Sequence, residues 1–186
     1  MAKLALARDF LSGFGKLSKP AQSKVTQIAE NFRLMSVDDL RSSKGLNLEP
    51  YKHAKDPRAK TVRIDDNHRG IVLDVGDNEL FILTYVGTHK EVDRWMMHNT
   101  FRVNTATGAL EIYNTVELDA AIAQAPPPVE TDEAIFHHRR DKDFVNLGIA
   151  AELVPAIRAF TSQEQLYGLL SFLPETQCDA LVALTG

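Results

Sequence analysis

The sequence predicts an α+β fold in which a helical hairpin packs on an antiparallel sheet and a small all-helical region follows at the C-terminal end. Three observations predict it. Apolar residues recur at helical spacing between Phe10 and Phe32, β-branched and aromatic runs cluster between Thr61 and Val86 with short polar connections, and the pattern after residue 132 is wholly helical. A chain of 186 residues with 44% hydrophobic and 25% charged residues buries a core without metals or disulfides. Cys178 is the single cysteine, so an internal disulfide and a cysteine zinc site are excluded, and a reducing, cytoplasmic location is the expectation. No run of 18 apolar residues occurs, and Arg8 and Asp9 interrupt the stretch LALARDF, so neither membrane insertion nor secretion is expected.

Leu4 to Ala7 suits a brief edge strand or the start of a helix. Phe10, Phe14 and Leu17 then share one helical face, and Ser18-Lys19-Pro20 supplies a cap with proline at the start of the next helix. The stripe of that second helix is Ala21, Val25, Ile28, Ala29 and Phe32. Strands are predicted at residues 61-64, 70-75 and 80-86. Connections as short as Asp65 to His68 and Gly76 to Asn78 make these strands antiparallel neighbours, because a parallel crossover needs a dozen residues or more. Helical spacing returns with Val92, Trp95 and Met96, and a hairpin follows across Asn104 to Gly108. Pro126-Pro127-Pro128 holds an extended linker. Beyond it, Gly148 closes a short helix, Leu153 to Phe160 forms another, Ser162 and Gln165 make a capping box, and Pro174 opens a last helix. The domains are therefore expected at 1-115 (helices and sheet), 116-131 (helix and linker) and 132-186 (helical appendage).

Charge is distributed unevenly. Residues 1-100 hold 16 Lys+Arg against 13 Asp+Glu, whereas residues 101-186 hold 5 against 12. From Arg41 to Arg63 the cations Arg41, Lys44, Lys52, Lys55, Arg58, Lys60 and Arg63 face only Glu49 and Asp56, a patch that attracts phosphates or, alternatively, a solvated loop. Phe14-Gly15-Lys16 ends like a phosphate-binding loop, but Phe10 and Leu17 replace the glycine and the hydroxyl residue that such a loop requires. Asp65 and Asp66 read as turn formers, and His137-His138-Arg139-Arg140 as a solvated face; no metal ligand set and no cofactor is expected. Lys60, Arg63 and Arg69 lie on or beside adjacent strands, and His89 follows a third. Converging at one end of the sheet, they would supply an acid or base and the cations that metal-free RNA cleavage needs. The alternative is that Arg63 and Arg69 pair with Asp65, Asp66 and Asp74, and that His89 caps a helix.

Two helices followed by an antiparallel sheet, with the runs KGLNLEPYKHAKDPRAKTVRIDDNHRGIVLDV and YVGTHKEVDRW, resemble the RelE/ParE toxin superfamily over roughly residues 4-97. The resemblance implies mRNA interferases or gyrase poisons. Lys60 and Arg69 match cationic strand positions, His89 matches the basic or histidine position after the last strand, and Trp95 an aromatic position. Val62 stands at what looks like a second lysine position, and Glu91 and Asp93 bring negative charge to the phosphate site. The continuation FRVNTATGALEIY and the segments LGIAAELVPAIRAF and LPETQCDALVALTG are similar, with the rest, to the region ahead of the motor in bacterial UvrD-like DNA helicases. This resemblance implies a toxin-fold accessory module with little or no catalysis of its own, whose ATPase lies in sequence outside this chain. An active RelE-type endoribonuclease is one alternative, and a regulatory protein-interaction domain another. Expected partners are RNA or DNA, including the ribosome, together with a covalently linked helicase motor or an antitoxin-like protein. Candidate catalytic residues are His89, Lys60 and Arg69; candidate nucleic-acid contacts are Lys52, Lys55, Arg58, Lys60, Arg63, Arg69, Lys90 and Trp95.

Overall fold

The computed structural model describes residues 2-42, 46, 48-76, 79-104, 106-124 and 134-185. The chain forms two compact units, Met1–His98 and Asn99–Gly186. The prolines at 126-128 lie outside the described residues.

The first unit opens with strand β1 (Lys3–Leu6), helices α1 (Arg8–Lys16), α2 (Lys19–Leu34) and α3 (Val37–Arg41), and the two-residue strand β2 (Glu49–Pro50). Strands β3 (Ala59–Arg63), β4 (His68–Asp74) and β5 (Leu80–Thr88) follow, and β5 runs directly into α4 (His89–His98). The five strands form one sheet in the order β1-β5-β4-β3-β2. Pairings β2-β3, β3-β4 and β4-β5 are antiparallel, as their short connections require. The sheet as a whole is mixed and not antiparallel, because β1 pairs with β5 in parallel. Between them the chain builds three helices and three strands, which is ample length for a parallel return.

Apolar side chains of α1 to α3, Phe10, Val25, Phe32 and Leu40, meet Val62, Val72, Phe81, Leu83 and Val86 in the core under one face of the sheet. A Cβ added to Gly13 of α1 would stand 2.5 Å from the Val86 carbonyl oxygen, so glycine lets the helix lie directly on β5. The opposite face carries α4. Tyr85, which alternates with Val86 along β5, points that way and stacks on Trp95, with ring centroids 5.7 Å apart. Ser36 caps α3 through Asp39 N–H, whereas Ser18 occupies the N-cap of α2 without a side-chain cap bond. Helix α3 and strand β2 are additions that periodicity did not foresee, being five and two residues long.

The second unit joins a hairpin to the helical region expected after residue 132. It begins with a hairpin of β6 (Asn99–Val103) and β7 (Leu110–Asn114), then α5 (Thr115–Ala123), α6 (Asp141–Asn146), α7 (Val154–Arg158), α8 (Gln163–Leu170) and α9 (Glu175–Thr185). The division therefore falls at His98/Asn99, not at the expected 115/116. Tyr113 of β7 sits in the core of Phe136, Phe144, Leu153, Ile157, Leu169 and Leu181, which explains why the hairpin belongs here. Polar bonds reinforce it. The buried Glu111 carboxylate accepts from Asn104 Nδ2 at 2.7 Å and Gln177 Nε2 at 2.8 Å, and also from the hydroxyls of Tyr113 and Thr176. Gly148, at φ +87°, closes α6 against the Asn104 side chain. The Ser162/Gln165 capping box forms as predicted.

Candidate nucleic-acid interface

Arg69 is the second residue of β4, and His89 is the first of α4. Because β5 enters α4 without a loop, the imidazole is held at the end of the sheet, with its backbone N–H bonded to Asn67 O at 3.2 Å. Arg69 Nε donates to His89 Nδ1 at 3.2 Å. A guanidinium is only a donor, so this bond makes Nδ1 an acceptor and places the neutral ring's proton on Nε2. Both residues line a cleft of about 240 Å³ together with Glu49, Pro50, Tyr51, Thr61 and Asp93. Glu49 Oε2 lies 3.6 Å from Arg69 Nη1. Tyr51 is edge-on to His53, centroids 6.0 Å apart, and burial together with the neighbouring Asp93 carboxylate raises its phenol pKa.

Lys60 does not join this group. It faces Val72 across the ladder, three residues from Arg69, and the strand alternation puts the two side chains on opposite faces. There Lys60 Nζ pairs with Asp74 at 3.3 Å, beside Arg41, which reaches the same carboxylate at 3.0 Å. Burial opposes ionisation of Asp74, but Arg41, Gly76 N–H and Lys60 outweigh it and hold its pKa low. Val62 is 2% exposed and packs in the helix-facing core, so a lysine at that position would not reach the cleft.

The remaining candidates are dispersed. Arg63 sits opposite Arg69 in the ladder, and each cation is relieved by its own acid, Arg63 by Asp66 at 2.5 Å and Arg69 by Glu49. Asp65 accepts from Asn67 and His68 N–H and from His68 Nδ1, which confirms it as a turn former. The expected pairing of Arg69 with Asp65, Asp66 or Asp74 is absent. Arg58 forks onto the buried Asp56 through Nε at 2.9 Å and Nη2 at 2.6 Å. Lys52, Lys55 and Lys90 are exposed and hold no ion pair among the described residues. Trp95 is half-buried under Tyr85 and acts as a packing residue. Glu91 is turned to its own backbone: its carboxylate accepts from Thr88 N–H at 2.8 Å and Thr88 Oγ1 at 2.7 Å. Those bonds lower its pKa and cap α4.

Glu49 and Tyr51 were not foreseen as site residues, since β2 is too short to leave a periodic signal. A signal did exist in Thr88-x-x-Glu91, the capping-box spacing that starts α4 and so fixes His89. Compared with protein-family models, with curated proteins and with solved structures, the chain finds no match in any of the three. Among the described residues, no helix is long and apolar enough to cross a membrane.

Proposed function

We propose that the first unit is a RelE-like accessory module that contacts nucleic acid, the front part of a UvrD-like DNA helicase, with little or no catalysis of its own. The observation that carries this reading is the Arg69–His89 pair at 3.2 Å inside an open cleft, a guanidinium beside an imidazole N–H donor. Such a pair suits one phosphate of a strand. Lys52, Lys55 and Lys90, exposed and without an ion pair among the described residues, add attraction of the kind that falls with salt. A single guanidinium and two carboxylates in the cleft are a poor set for stabilising a phosphorane, which supports binding over cleavage.

The test is a titration of the full chain against labelled single-stranded RNA, single-stranded DNA and duplex DNA at several salt concentrations. Arg69→Glu weakens binding at least about tenfold, as expected for a lost phosphate contact, and flattens the salt slope by roughly one phosphate's worth. Lys60→Glu, on the other face, has a smaller effect. Equal affinities for wild type and Arg69→Glu would remove the cleft from the interface.

One observation favours a second reading, a metal-independent endoribonuclease. Glu49, Arg69 and His89 together form a base, a cation and an N–H donor in one cleft, and the two objections from Val62 and Glu91 lose force, since both side chains are engaged elsewhere. In that reading the carboxylate takes the 2'-hydroxyl proton, the Nε2–H of His89 donates a hydrogen bond to the departing 5'-oxygen, and solvent supplies the proton that this oxygen finally takes. Cleavage of mRNA, with or without ribosomes, that vanishes in His89→Ala would place this reading first; the accessory-module reading expects no cleavage and no growth arrest on overexpression.

A further inference from the structure

We propose that Glu49 is a built-in competitor for the phosphate at Arg69, so that a strand enters the cleft by displacing a carboxylate of the protein's own. This rests on the reading of the cleft as a phosphate-binding site. Arg69 has two forked edges able to grip a phosphate through paired N–H groups, one using Nε and one using Nη1. Each is already engaged, Nε by His89 at 3.2 Å and Nη1 by Glu49 at 3.6 Å. Phosphate must therefore replace one of them.

The geometry selects Glu49 as the group that yields. Its distance lies beyond ordinary hydrogen-bond length, whereas the His89 contact lies within reach of it. The Glu49 side chain is 64% exposed against 27% for Arg69, so the carboxylate regains water when it swings out. It stands on a two-residue edge strand whose partner residue on β3 is Thr61, while His89 is bound into the joint between β5 and α4. Leu48, immediately before it, is 2% exposed and anchors the strand, which leaves the glutamate side chain as the moving part. An exposed ion pair of this kind holds a site closed by only about two- to fivefold, a gate that a phosphate can open. The other carboxylate of the cleft, Asp93, faces Tyr51 and has no such contact with the guanidinium.

A double-mutant cycle on the full chain tests this. Glu49→Gln keeps the side-chain shape and should tighten single-stranded RNA or DNA binding roughly two- to fivefold, with a salt slope steeper by about 0.7, because no internal carboxylate is set free on binding. In the Arg69→Gln background the same change should no longer tighten binding. Unchanged or weaker affinity for Glu49→Gln, or equal tightening with and without Arg69, overturns the inference. If no variant binds nucleic acid, the accessory-module reading falls. The gate is then decided with inorganic phosphate, followed by the NMR signals of Arg69 Nε–H and the His89 ring. Glu49→Gln should shift that titration to lower phosphate concentration, and coincident curves overturn the proposal.

Discussion

At the scale of single residues, two positions outside the cleft make sharp demands. Gly13 meets the backbone oxygen of Val86, which cannot move aside as a side chain would, so Gly13→Ala must push α1 off β5. Urea unfolding of this variant should show a loss of about 1–3 kcal/mol, the usual cost of forcing extra volume into a packed contact. Glu111 presents the electrostatic counterpart. Burial alone would raise its pKa, but the four donors from Asn104, Thr176, Tyr113 and Gln177 outweigh burial and hold it below the ordinary carboxylate value. A carboxylate depressed in the folded state contributes stability that is complete above its unfolded pKa, about 4.3, and is lost as pH falls through the folded value. Wild type should therefore lose stability on acidification in that range. Glu111→Gln should start lower by about 1–3 kcal/mol and show a flatter acid limb in chemical denaturation from pH 7 to pH 3.

Among the elements, the joint between β5 and α4 decides where His89 stands. The strand ends at Thr88 and the helix begins at the next residue, with Glu91 reaching back to Thr88 to satisfy the first turn. Glu91→Ala should cost about 0.5–2 kcal/mol, typical of a lost cap. It should also loosen the hydrogen bond between Arg69 and His89, seen as faster exchange of the Arg69 Nε proton in NMR. Retention of that slow exchange in a destabilised Glu91→Ala variant would show that the imidazole is held by other contacts. The helices of the first unit were legible from Phe10 to Phe32 because one wide apolar stripe serves one core, whereas α3 and β2 are too short for any period to show.

For the whole molecule, the boundary between the units coincides with the change in charge, since residues 99 and 100 are uncharged and the basic excess ends before them. The hairpin of β6 and β7 lies on the acidic side. A chain beginning at residue 99 should unfold cooperatively in a denaturant titration. One beginning at residue 116 should not, because without Glu111 and Tyr113 the side chains of Thr176 and Gln177 lose their buried partners. Cooperative unfolding of the shorter chain would return the hairpin to the first unit's account.

What the sequence determined by itself is the local order of the fold. Strands joined by Asp65 to His68 and by Gly76 to Asn78 have no room to be other than antiparallel neighbours, and the turn carboxylate Asp65 and the capping pair Ser162/Gln165 act within three residues of themselves. Tertiary structure alone decided three things. It set β1 parallel to β5, a pairing of residues about 77 apart whose direction depends on how α1 and α2 return the chain. It placed the hairpin with α9, through the buried Glu111, a choice made by a partner 66 residues away. And it parted Lys60 from Arg69. Their separation depends on ladder register, and a shift of a single residue exchanges the faces of a strand, so the cleft of Glu49, Arg69 and His89 became visible only when β3 and β4 were paired.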